Sequence, residues 1–142
     1  MSDADISQPS LLSSDDPAAR YLATKASTAQ QTDCAALSQW MSDITGAPAQ
    51  MWGPSIVGFG RYRYIYDSGR SGETFLTGFA IRGRELVIYL GIEPHAESLA
   101  QLGPHRVGKA CLYLKSFSNI NLPALRELIR DSVQALQVRY PD

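Results

Sequence analysis

The stretch RYRYIYDSGRSGETFLTGFAIRGRELVIYL, Arg61 to Leu90, decides the fold class. Between Arg61 and Tyr66 the residues alternate, so Tyr62, Tyr64 and Tyr66 share one face of an extended segment. Asp67-Ser68-Gly69-Arg70-Ser71-Gly72 is a run of turn formers, Thr74 to Arg82 extends again, and Gly83-Arg84 makes a tight turn into Glu85 to Leu90. Three strands in a meander are predicted. Leu86, Ile88 and Leu90 point one way and Val87 and Tyr89 the other, while Phe75, Phe79 and Ile81 add a second apolar set, so both faces of the sheet need cover.

Working outward toward higher numbers, Glu93 to Leu102 reads as a short helix closed by Gly103, and Lys109 to Lys115 as a fourth strand. Leu122 to Arg139 reads as a long helix capped by Asn121, with Leu125, Leu128, Ile129, Ser132, Val133 and Leu136 as its buried stripe. Toward lower numbers, Met51-Trp52-Gly53-Pro54 is a connection, and Gly46 and Pro48 stop a helix with Leu37, Trp40, Met41 and Ile44 on its apolar face. Thr32 or Asp33 is the expected cap of that helix, Ser27 to Gln31 a break before it, and Asp16-Pro17 the start of a shorter helix. Residues 1–15, rich in Ser, Asp, Gln and Pro, show no apolar period and are expected to form a tail, with 16–142 as one domain. The expected architecture is α+β: a four-stranded, mainly antiparallel sheet with N-terminal helices, one short inserted helix and a long C-terminal helix. Helices cover one face of such a sheet, and the other, aromatic and basic, must meet solvent, a ligand or a second copy of the chain in a homodimer.

At 142 residues, 44% hydrophobic and 19% charged, the chain has the size and composition of one globular domain. A net charge of −1 supplies no basic field to concentrate nucleic acid, so no nucleic-acid partner is expected. Charge is uneven, with net −4 over residues 1–45 and net +3 over 46–142, which assigns any anion site to the later part. Cys34 and Cys111 lack the spacing of a zinc or redox pair and read as buried free thiols. The opening MSDADISQPSLLSSDD has neither a cationic start nor a long apolar run, and no stretch reaches the roughly 18 apolar residues of a membrane span, so a cytoplasmic location is expected.

Several constellations bear on chemistry. Gly103-Pro104-His105-Arg106-Val107-Gly108-Lys109 has the spacing of part of a phosphate loop, but Ala110 stands where a magnesium-binding hydroxyl belongs. It also leaves a helix and enters a strand, the reverse of the order that presents helix amides to a phosphate. Arg82, His105, Arg106 and Lys109 suit a small carboxylate or phosphate, or else form a solvated basic loop. Glu93, His95 and Glu97 have ligand chemistry for a metal, although acids in a first helical turn are explained by the helix dipole. Asp15, Asp16, Asp33 and Asp43 raise the same question for iron, with capping as the alternative for Asp16 and Asp33. Cys111 beside His105 is the one nucleophile and base pairing that sequence proximity offers, against core packing of the thiol. Trp52, Tyr62 and Tyr64 line a pocket or belong to the core.

Four spaced blocks, Met51 to Arg82, Leu86 to Gly91, Leu102 to Ser116 and Leu122 to Val133, carry a family likeness. Trp52-Gly53, Gly58-Phe59-Gly60, Tyr62 with Tyr64, Gly78-Phe79, Tyr89, Leu102-Gly103 with His105, Gly108-Lys109 and Cys111-Leu112-Tyr113 follow in order. In these features the chain resembles the YdhG-like domain of unknown function. The resemblance implies a fold grouped with frataxin-like and YjbR-like proteins, helices on one face of an antiparallel sheet, and a role in handling iron. The loop that commonly reads Gly-Lys-His-Lys-Thr-Gly-Lys-Ser in that family is Gly103 to Ala110 here, with one Lys and two hydroxyls lost, and Arg82-Gly83 replaces a common Arg-Lys. The expected function is a non-enzymatic binding module for a small anionic ligand or a protein partner, through Trp52, Tyr62, Tyr64, Arg82, His105 and Lys109. An iron-binding protein of frataxin type and an enzyme using Cys111 or His105 are the alternatives. No cofactor is expected, iron entering by resemblance alone.

Overall fold

The structure, a computed structural model, describes residues 16–65, 68–91, 94, 96–108 and 110–141. In chain order its elements are α1 (Pro17–Lys25), α2 (Thr28–Thr45), β1 (Ala49–Met51), β2 (Val57–Phe59), β3 (Tyr62–Ile65), β4 (Ser71–Thr74), β5 (Thr77–Arg82), β6 (Glu85–Tyr89), α3 (Ala96–Ala100), β7 (Arg106–Val107), β8 (Cys111–Leu114) and α4 (Leu122–Arg139). Among the described residues no helix is long and apolar enough to cross a membrane.

The fold is α+β with an antiparallel sheet, but the expected count of four strands is wrong. Six strands pair in the order β1-β2-β5-β6-β8-β7, and β3 and β4 form a separate two-stranded ribbon. The physical reason is a kink in one long hairpin. Gly60, at φ 69°, and Leu76, whose amide donates to the Phe59 carbonyl at 3.1 Å, break the two arms at the same level. The run expected as one strand from Thr74 to Arg82 therefore divides at Phe75-Leu76 into β4 and β5. The additional edge strands β1 and β7 are three and two residues long, too short to show a period.

Local chemistry sets the helix ends. Asp16 caps α1 by accepting from the Ala18 and Ala19 amides. Ser27, not Thr32 or Asp33, caps α2: its hydroxyl accepts from the Gln30 amide at 3.2 Å, and Gln30 Oε1 accepts from the Ser27 amide at 2.9 Å. This reciprocal box satisfies two orphan donors, so the helix begins where a break was expected. The start of α4 is as read, with Asn121 Oδ1 accepting from the Ala124 amide and the stripe Leu125 to Leu136 buried. The short helix α3 stops at Ala100, before the expected Leu102, and its expected start at Glu93 lies outside the described residues.

Alternation then builds the core. Val57, Phe59, Phe79, Ile81, Leu86, Ile88, Leu112 and Leu114 share the inner face and pack with Cys34, Leu37 and Met41 of α2 and Leu125 and Ile129 of α4. Burying each large apolar side chain there contributes about 1.5–3 kcal/mol. Tyr62 at the ribbon base packs against a smaller cluster of Leu76, Val133 and Leu136, its ring 5.0 Å from that of Tyr140.

The outer face is covered differently. Gly58 and Gly78 pair directly across β2 and β5, and their missing side chains leave a shallow bed. A Cβ on Gly58 would lie 2.5 Å from the Trp52 ring and 2.9 Å from Phe75 Cβ. Trp52, Phe75 and Tyr89 meet edge to face over this bed, at 5.7 and 5.9 Å between centroids.

Candidate anion-binding cleft

At the far edge of the sheet, alternation places Tyr113 opposite Val87 on one side and Arg106 on the other. Extending the ladder by one step sets Lys115 opposite Glu85. Tyr113, Arg106, Glu85 and Lys115 thus belong to the outer face, because Leu86 and Leu114, the intervening pair, are buried in the core. The Arg106 guanidinium lies 4.1 Å above the Tyr113 ring, and its Nη2 donates to Glu85 Oε1 at 2.7 Å. Two holds fix this side chain despite its exposure.

The opposite wall comes from two loops that lock together. Gly103 adopts φ 114°, and a Cβ there would collide with the Asn119 carbonyl oxygen. The Asn121 amide donates to the Leu102 carbonyl at 2.8 Å, and Asn119 itself takes φ 65°. Behind the wall the Phe117 amide donates to Asp33 Oδ2 at 3.1 Å, and the Phe117 ring stacks on Trp40 at 5.6 Å. His105 Nδ1 lies 2.7 Å from the Gly103 carbonyl. A carbonyl only accepts, so Nδ1 carries the proton and Nε2 is left for another partner.

The space enclosed is about 530 Å³, with Glu85, His105, Arg106, Tyr113, Lys115 and Asn119 among its walls. That volume lies within the roughly 300–1,000 Å³ of small-molecule sites. Lys115 is exposed and has no ion-pair partner among the described residues. One carboxylate therefore shares the cleft with the held Arg106, the exposed Lys115 and an imidazole, an arrangement suited to an anion.

The described residues among those expected to form one site are not gathered together. His105 lines the cleft. Trp52 lies over Gly58 with the Arg61 guanidinium 5.3 Å above its ring, Tyr62 packs on the α4 side, and Tyr64 covers Gly72 across the ribbon. Arg82 acts as a strut: its Nη1 donates to the carbonyls of Ile81 at 3.2 Å and Ser55 at 3.5 Å, where β5 runs past the end of β2. The Tyr21 hydroxyl closes the same open edge by accepting from the Ile81 amide at 3.0 Å. Lys109 lies outside the described residues.

Glu85 and Lys115 were missed by sequence reading, although their parity with Val87 and Tyr113 was the signal that pointed to them. Of the proposed metal ligands, Glu93, His95 and Asp15 lie outside the described residues. Asp16 is engaged as a cap, Asp33 by the Phe117 amide and Asp43 by Gln39 Nε2 at 2.9 Å. Among the described residues no group of three or more His, Cys, Asp or Glu side chains is placed to hold a metal ion. Cys111 lines a separate hollow with Phe75 and Tyr89, away from the His105 cleft, and burial pushes its thiol above the usual range. Burial first, and then the Asp33 carboxylate, push the Cys34 thiol up to about 12. Compared with protein-family models, curated proteins and solved structures, the chain matches none.

Proposed function

We propose that this protein is a non-catalytic binding module of the YdhG-like kind, and that the cleft between the β6-β8-β7 edge and the loop before α4 takes a small anionic ligand. The carrying observation is Lys115, a cation without an ion-pair partner among the described residues, in a cleft shared with His105 and the pinned Arg106. The sequence resemblance supports the family assignment, and the positive balance of residues 46–142 supports the ligand's sign. Arg106 and Lys115 line this cleft with His105, whereas Arg82 does not.

A thermal-shift and calorimetric screen of inorganic phosphate, carboxylates and nucleotides tests this reading. At about 100 times its dissociation constant a ligand adds about 2.7 kcal/mol to native stability, roughly 10 °C in Tm for a domain of this size. The Lys115→Met, Arg106→Met double variant is expected to keep its fold and lose the response. A response retained in full by that variant sinks the proposal. Ferrous iron is included as a probe, since a shift from iron that no anion produces would favour the iron-binding alternative.

A further inference from the structure

Resting on the cleft just proposed, we infer that its ligand carries a single carboxylate, and that Glu85 is the residue that selects against doubly charged anions such as phosphate monoesters. Among the described residues, Lys115 and Arg106 supply two positive charges and Glu85 one negative charge, leaving one unbalanced. Attraction grows linearly with the ligand's charge, whereas the cost of removing that charge from water grows with its square. One unbalanced positive charge is therefore best matched by one negative charge, and a second meets Glu85 as a repulsive neighbour.

Glu85 is placed for this role. Its side chain is 27% exposed, held by Arg106 through Oε1 at 2.7 Å, and its ladder position faces that of Lys115. A carboxylate needed only to fix Arg106 would be partly redundant, because the Tyr113 ring already supports the guanidinium at 4.1 Å. Glu85→Gln leaves that stacking in place and removes one negative charge from the cleft.

The test is calorimetry at pH 7.5 with benzoate and phenyl phosphate, which share a ring and differ in charge. The wild type is expected to bind benzoate more tightly. In Glu85→Gln the gain for the dianion should be about the square of the gain for the monoanion, for instance about tenfold against about threefold, because each charge gains the same increment. Tighter wild-type binding of phenyl phosphate, or equal gains for both probes, overturns the role of Glu85 while leaving an anion site. If neither probe binds, or if Lys115→Met binds as the wild type does, the site itself fails. A capped tripeptide with a free C-terminal carboxylate completes the set. Tighter binding than benzoate assigns the carboxylate to a polypeptide end and weaker binding to a free acid.

Discussion

Gly103 sits at φ 114°, where side-chain-bearing residues are strained by about 1–3 kcal/mol, and the Asn119 carbonyl oxygen occupies the space a Cβ would need. Gly69 has a comparable φ of 90° but nothing within 4 Å of its absent Cβ. Comparing alanine at the two positions separates backbone strain from collision. Gly69→Ala is expected to cost about 1 kcal/mol in urea denaturation, the backbone part alone. Gly103→Ala should cost at least about 2 kcal/mol more, since a backbone carbonyl cannot swing aside as a flexible side chain does. The response to anions should weaken as well, because the Gly103 carbonyl orients His105 and the Asn119 loop forms the facing wall. Equal losses at the two positions would show that the two loops separate easily and that the cleft is not preformed.

At the scale of elements, Gln30 joins α2 to the sheet. Its Oε1 completes the capping box, while Nε2 donates at 3.1 Å to the carbonyl of Gly83 in the β5–β6 turn. Gln30→Ala removes the Gln30 half of the box and the bond to Gly83, two partly buried hydrogen bonds worth about 1 kcal/mol each. Gln30→Glu keeps the acceptor and loses the donor, so it should recover the capping share only. Hydrogen exchange should then quicken at the β5–β6 turn in both variants and at the first turn of α2 only in Gln30→Ala. The same residue shows what was legible in the sequence. A capping box is written in four neighbouring residues, Ser27 to Gln30, and was readable though overlooked, whereas the bond to Gly83 spans 53 positions and leaves no local trace. The stripe of α4 was readable throughout because it repeats along 18 residues. The two-residue β7 has no period, and the kink at Gly60 and Leu76 depends on a pairing between distant segments. His105 and Arg106 stood out by composition. Glu85 and Lys115 joined them only through strand register, which a single sequence specifies weakly.

For the whole molecule, the helix and sheet layers close around Cys34, which is fully buried beside Leu37 and Met41. Its thiol is raised to about 12 in the folded chain, against about 8.5–9 when unfolded. A raised pKa means that the stabilising effect of the neutral thiol is present in full below about pH 9. Above that, the unfolded chain loses a proton that the native state retains, and stability falls by about 1.4 kcal/mol per pH unit until the folded pKa is passed. The total is on the order of 4 kcal/mol between pH 9 and 12. Cys34→Ala should be the less stable protein at pH 7, by about 1 kcal/mol for the lost packing. It also lacks this titration, so the two stability curves should approach each other above pH 9 and cross near pH 10. Cys111, also raised by burial, is present in both proteins and leaves the difference between them unchanged. Urea midpoints at intervals from pH 7 to 11 measure that difference directly. Parallel curves over this range would mean that water reaches the thiol and that the layers do not seal the centre of the core, whereas a crossing ties alkaline unfolding to one buried atom.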